Sequence, residues 1–143
     1  MSQTTKLTYV VSPNDFINAG NVSEDLKLKL SEMNIDAEII RRVTLAVYET
    51  ELNMIIHANG GIIEAEIMPE LLRIEAADNG PGIADVDKAM EPGFTTVSPD
   101  SEIRTRGMGT GHGFSNIRKC TDSFEVETEL GLGTTLKFEI NLI

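Results

Sequence analysis

The chain has little that could hold it together covalently. Cys120 is its only cysteine, which excludes an intramolecular disulfide and a cysteine-built metal site and makes the reducing cytoplasm the expected compartment. No apolar run approaches the roughly 18 residues that a membrane helix needs. The opening stretch, Met1–Val10, lacks the basic start and apolar middle of a secretory signal, so no membrane association is expected. Positive charge is scarce: 12 Lys and Arg stand against 23 Asp and Glu, a formal charge of −11. A broad nucleic-acid surface needs clustered cations, so no nucleic-acid partner is expected. Repeats, low-complexity tracts and linkers are also missing, and residues 1–143 read as one domain, large enough to bury its own core.

What the chain does have is periodicity. A short strand over Leu7–Val11 ends at the turn-forming Ser12-Pro13-Asn14-Asp15. A helix follows through the 20s to about Met33, with Val22, Leu26, Leu30 and Met33 on one stripe. Asp36 is placed to cap a second, long helix from Ala37 to Ala58, which Asn59-Gly60-Gly61 stops. Ile63, Ala65 and Ile67, then Leu72, Ile74 and Ala76, alternate with polar residues around Pro69-Glu70, which predicts a hairpin. Asp85 starts a short helix to about Met90. Residues 91–113 hold two prolines and five glycines and no periodicity, the composition of a functional lid or a disordered loop. A further helix over Phe114–Thr121 leads to strands at Phe124–Thr128 and Leu136–Leu142 around Gly131-Leu132-Gly133. This order predicts an α+β fold of two layers, a mixed sheet with helices on one face.

Three constellations could carry chemistry. On the long helix Glu49, Asn53 and His57 recur every four residues and share one stripe. Leu45, Leu52 and Ile56 flank it on one side, and Ile39, Val43, Ala46 and Met54 on the other. Arg41, Thr44, Tyr48 and Glu51 fall where solvent is expected. A carboxylate and an amide facing inward must be satisfied, either by backbone within the core or by a ligand or metal in a cleft. Their spacing of about 6 Å along the axis suits a catalytic base, Glu49, beside an oxygen ligand, Asn53, for the hard cation Mg2+. His57 is expected to bond a carbonyl at the helix end. The second constellation is Asp78-Asn79-Gly80-Pro81-Gly82, either a plain turn or a sharp loop that lets backbone approach a flat group while the carboxylate accepts from an exocyclic amine. The third alternates Gly107, Gly109, Gly111 and Gly113 just before a helix. Bare N–H groups and a helix N-terminus suit phosphate, with Arg104 and Arg106 upstream to assist. A glycine hinge with solvated arginines is the alternative. The familiar G-x-x-x-x-G-K-S/T and G-x-G-x-x-G patterns are absent.

In order and spacing these segments resemble the ATP-binding domain shared by type II topoisomerases, heat-shock chaperones, mismatch-repair ATPases and histidine kinases, the GHKL or Bergerat fold. Glu49-x-x-x-Asn53 resembles its N-box and Asp78-x-Gly80-x-Gly82 its adenine-reading box. Gly109-Thr110-Gly111-His112-Gly113-Phe114-Ser115 resembles its glycine box, with His112 and Phe114 where histidine kinases commonly carry leucine. Gly131-Leu132-Gly133-Thr134-Thr135 resembles its closing box. The likeness spans Asp36 to Ile140. Chain size, the N-terminal strand and helix, and the Ala89–Thr96 segment look most like the bacterial anti-sigma-factor serine/threonine kinases and their stressosome relatives.

That resemblance implies a two-layer α/β sandwich with a mixed, mostly antiparallel sheet. It implies ATP or ADP and Mg2+ as cofactors, and phosphorylation or switching of a small protein antagonist. A sigma factor or another regulatory protein is an implied partner, and homodimers are common in such kinases. Residue by residue, Glu49 becomes the general base, Asn53 the Mg2+ ligand, and Asp78 the acceptor for the adenine amine. Gly80 and Gly82 shape the base pocket. The backbone at Gly109, Gly111 and Gly113 holds the phosphates, Arg106 resembles a lid arginine of these kinases, and Gly107, Thr110, His112 and Thr134 join the nucleotide-binding set. A nucleotide-gated binding module without phosphotransfer and a stand-alone histidine-kinase-type ATPase domain remain open as alternatives. The charge of −11 opposes a polyanionic nucleotide at long range, so metal and local cations matter more.

Overall fold

The computed structural model describes residues 4–93 and 113–143. Five strands form one sheet: β1 (Thr5–Val11), β2 (Gly61–Ile67), β3 (Leu71–Asp78), β4 (Ser123–Glu129) and β5 (Gly133–Asn141). Their order is β1-β2-β3-β5-β4. All four pairings are antiparallel, so within the described residues the expected mixed sheet is antiparallel throughout. Chain routing explains this. α1 (Asn21–Glu32) and α2 (Ala37–His57) run out and back, so that Gly61 pairs with Val11 and β2 must descend beside β1.

Period-2 alternation builds the sheet's inner face. Ile63, Ala65, Ile67, Leu72, Ile74, Ala76, Leu136, Phe138 and Ile140 are all buried, while the intervening Glu64, Arg73 and Glu75 are exposed. The register aligns Ala65, Ile74 and Phe138 in one cross-strand row and Ile63, Ala76 and Leu136 in the next. Against this face α1 lays Val22, Leu26 and Leu30, and α2 lays Val43, Ala46, Val47, Met54 and Ile55. Each fully buried aliphatic side chain contributes roughly 1.5–3 kcal/mol. Met33, expected on the α1 stripe, lies just past the helix end and is 41% exposed.

The ends of the helices are set locally. Asp36 caps α2, its carboxylate accepting from Glu38 N at 3.1 Å. Asp85 does the same for the short α3 (Val86–Ala89) through Lys88 N at 3.1 Å. The last described helix, α4 (Gly113–Cys120), packs along α2 with Phe114 and Ile117 buried. Its C-terminus is held there because Arg42 Nε donates to the Cys120 carbonyl at 3.1 Å. None of the described helices is long and apolar enough to cross a membrane.

One expectation on α2 is overturned. Glu51, read as solvated, is only 2% exposed. Its carboxylate accepts from Ser23 N at 2.9 Å and from Gly20 N at 3.1 Å. α1 begins at a glycine that has no side chain to cap it, so its unpaired amides take their acceptor from α2 instead. Burial raises the Glu51 pKa above the usual carboxylate value, and the donated backbone hydrogen bonds oppose that shift.

Candidate functional site

Along α2 the polar stripe follows the predicted spacing. Glu49 and Asn53 are half-buried and His57 is exposed. Neither the Asn53 amide nor the His57 ring hydrogen-bonds to a described residue, so the carbonyl contact expected of His57 is not made. Glu49 lies against the start of α4: a Cβ built on Gly113 would stand 3.0 Å from Oε2. The carboxylate thus borders the first turn of a helix, where unpaired N–H groups gather.

The other wall is a loop stitched to the β4–β5 hairpin. Asp78 ends β3, and its Oδ1 accepts from Gly80 N at 2.9 Å and from Thr134 N at 3.2 Å. The first of these closes an Asx turn that starts the loop. Gly131 N donates to the Pro81 carbonyl at 2.9 Å, and Ile83 N donates to Thr128 Oγ1 at 2.8 Å. Asp78 Oδ2 has no partner among the described residues.

Two glycines are required here for different reasons. At Gly82 φ is +80°, and a Cβ would meet the Glu129 carbonyl oxygen at 2.6 Å, so a side chain is excluded by both conformation and space. At Gly80 a Cβ would fall 2.9 Å from Ala58 Cα. The absence of a side chain is therefore what lets this loop press onto the C-terminal end of α2.

The structure thus orders the predicted groups along one helix: the Asp78–Gly82 loop at its C-terminal end, Asn53 next, and Glu49 beside Gly113. Between Glu49 and Ala58 the helix rises about 13 Å. Thr134 is buried at 5% exposure and pairs across the sheet with both Asp78 and Thr128. Arg104, Arg106, Gly107, Gly109, Thr110, Gly111 and His112 lie outside the described residues. Two residues that sequence reasoning missed are Ala58, the surface under Gly80, and Thr128. Thr128 and Thr134 are equidistant from Gly131, which is the signal that a hairpin register would pair them.

A groove of about 810 Å3 between α1 and α2, bordered by Gly20, Ile40, Thr44 and Tyr48, touches none of Glu49, Asn53 and Asp78. No three His, Cys, Asp or Glu among the described residues are grouped to hold a metal unaided. What the protein does offer is a half-buried amide, an unpaired carboxylate oxygen and a loop cradle. That set suits a ligand which brings its own anionic oxygens, as a nucleotide with Mg2+ does.

Known proteins share sequence or fold with this chain. The anti-sigma F factor of Clostridium acetobutylicum is 38% identical over 111 residues, covering 74% of this chain and 73% of that protein. The serine/threonine-protein kinase RsbT of Bacillus subtilis is 28% identical over 127 residues, covering 86% of each. Among solved structures, the histidine kinase domain from the Erythrobacter litoralis EL346 blue-light activated histidine kinase shares the fold at a TM-score of 0.51 and 23% identity. That likeness covers 73% of this chain, which spans 45% of the larger one. Residues 38–143 match the family described as histidine kinase-, DNA gyrase B-, and HSP90-like ATPase. The match takes in α2, the Asp78 loop and the β4–β5 turn together, and the chain belongs to this ATPase family.

Proposed function

We propose that the chain is an ATP-dependent protein serine/threonine kinase of the anti-sigma-factor regulatory type. It would act on a small protein antagonist and engage a sigma factor or another regulatory protein. The observation that carries this reading is the arrangement along α2, where a half-buried Glu49 borders Gly113 while the Asp78 loop packs on Ala58. The relatives named anti-sigma F factor and serine/threonine-protein kinase support the same reading.

Each residue has a role that its surroundings allow. Asp78 keeps Oδ2 to accept from an exocyclic amine, because Oδ1 is committed to two backbone donors. Gly80 and Gly82 let the loop backbone lie flat beside a base. Asn53 would hold Mg2+ through its amide oxygen, and the ion would supply charge neutralisation across the phosphates. Glu49 would take the proton of the attacking serine hydroxyl, a role that needs one carboxylate within hydrogen-bond reach. Arg106, Gly107, Gly109, Thr110, Gly111, His112 and Gly113 would hold the phosphate oxygens. Positioning and charge neutralisation carry most of such a transfer.

The test is incubation of the full chain with labelled Mg-ATP and a panel of small anti-sigma antagonist proteins, followed by phosphoserine mapping. Transfer that disappears in Glu49→Ala while Mg-ADP still binds is the expected result. Nucleotide binding with no phosphoserine on any antagonist would overturn the kinase reading and leave a nucleotide-gated binding module.

A further inference from the structure

The core lies on one face of the sheet, and the other face is largely exposed along β1, β2 and β3. One row of that outer face is apolar. Val10 stands beside Ile62, and Ile62 beside Ala77. Val10 is 78% and Ile62 43% exposed, and Ala77 is exposed too. Strand formation does not require them, since threonine suits an outward strand position, as at Thr8 and Thr135. Apolar area gathered in one exposed row gains free energy only when something covers it. The adjoining row carries charge that the protein leaves unneutralised. Glu64 lies directly opposite Glu75, an arrangement that repels. Neither carboxylate has an ion pair or hydrogen bond among the described residues. Nearby cations are engaged elsewhere. Lys137 is opposite Glu75, yet its Nζ pairs with Glu127 at 3.4 Å. Arg73 is held by Glu139 at 2.8 Å and Glu66 at 3.8 Å. Lys6 stands in the row beyond, opposite Glu66.

We propose that this outer face docks an amphipathic helix of a protein partner, apolar along one stripe and rich in lysine or arginine beside it. The dimensions fit. Neighbouring strands lie about 4.8 Å apart, so the row from Val10 to Ala77 spans about 10 Å. Positions i and i+7 of a helix are separated by about the same rise, so apolar side chains at i, i+4 and i+7 cover the row. The Glu64–Glu75 row lies about 7 Å further along the strands, within reach of a long cationic side chain on the helix flank. Apolar contact alone does not choose an occupant, but the carboxylate pair does: it repels an acidic partner and attracts a basic one. A second copy of this chain, at a formal charge of −11, is a poor match. The face is built from the sheet and not from the Glu49–Asn53 stripe, so the inference stands apart from the nucleotide reading.

The experiment titrates the full chain into a fluorescent synthetic helix of about 18 residues, with leucines on one stripe and lysines beside it, and reads anisotropy. The controls are a scrambled peptide of the same composition and one with glutamate in place of lysine. The variants are Glu64→Gln/Glu75→Gln, Val10→Thr/Ile62→Thr and, removing the same charge from α1, Glu24→Gln/Glu32→Gln. Circular dichroism verifies each fold. Wild type should bind the basic amphipathic helix more tightly than either control. Glu64→Gln/Glu75→Gln should weaken binding about five-fold or more, with no fall in urea midpoint because the two carboxylates repel. Val10→Thr/Ile62→Thr should weaken it about ten-fold, and the α1 variant about two-fold at most. Among labelled isoleucine methyls, Ile62 should shift on binding while Ile40, in the α1–α2 groove, stays in place. No binding by folded wild type, equal binding of the scrambled or acidic peptide, or an equal loss in the α1 variant overturns the inference. So does an unmoved Ile62. Wild type that sediments as a dimer broken by Val10→Thr/Ile62→Thr would assign this face to a second copy and overturn it as well.

Discussion

Glu49 and Glu51 are the same residue type on the same helix, two positions apart, and they sit in different surroundings. About 200° of rotation separates them. Glu51 faces α1, is 2% exposed, and is occupied by two backbone donors. Glu49 is half-buried beside the first turn of α4. A buried carboxylate taken up by amides of its own chain is a structural part, since moving it would orphan those amides. A half-buried carboxylate beside the first turn of a helix lies where unpaired N–H groups gather. Neighbouring elements, not sequence position, set these surroundings.

The two residues should therefore separate in experiment, and the largest separation lies in turnover. Glu49→Ala should slow phosphoryl transfer about 10²–10⁴-fold with little change in Mg-ADP affinity or melting temperature. Glu51→Ala should not match that loss once the protein is held below its melting point. Equal loss of transfer in both variants, measured on folded protein, would break the distinction. Next in size is Gly80→Ala, which forces a methyl against Ala58. The loop must lift from α2, and calorimetry should show Mg-ADP affinity falling about 10–100-fold, the equivalent of roughly 1–3 kcal/mol of overpacking.

On the structural side, Glu51→Ala should destabilise the fold by about 1–3 kcal/mol in urea, because amides at the start of α1 lose their acceptor in a buried place. Hydrogen exchange should quicken first at Ser23 and its neighbours. The smallest effect is in pH dependence. The folded Glu51 carboxyl holds its proton to higher pH than the unfolded one. Below the ordinary value of about 4.3 both states are protonated and nothing is linked. As pH rises past that value the unfolded chain ionises first, so wild type loses stability relative to Glu51→Gln until the folded carboxyl ionises as well. Urea midpoints across pH 4–8 should show that drift, and a constant difference would refute it.

Much of this architecture was legible in the sequence because periodicity survives packing. The long helix, both hairpins and the Asp36 and Asp85 caps lie where spacing and capping chemistry put them. Glu49 and Asn53 stood out because polar groups broke an apolar stripe. Glu51 did not, since a helical wheel shows which way a residue points but not what comes to meet it. The one hint was that α1 starts at Ala19-Gly20-Asn21 without a capping side chain at its N-cap, which calls for an acceptor from elsewhere. β5 begins earlier than its apolar alternation suggests, because Thr134 and Thr135 pair with Asp78 and Ala77. Cross-strand pairing also created the Thr128–Thr134 contact, which neither segment shows alone.

If α2, the Asp78 loop and the β4–β5 turn form one adenine-nucleotide pocket, the free oxygen of Asp78 should decide its affinity. Titrating Mg-ADP into folded wild type and into Asp78→Asn isolates that oxygen. The amide introduced by this substitution can keep the oxygen that accepts from Gly80 and Thr134 while replacing Oδ2 with a donor. Wild type should show one saturable site, and the variant at least about a ten-fold loss with unchanged circular dichroism. No heat of binding in wild type at millimolar nucleotide, or equal affinity in both proteins, would mean that these elements do not form such a pocket.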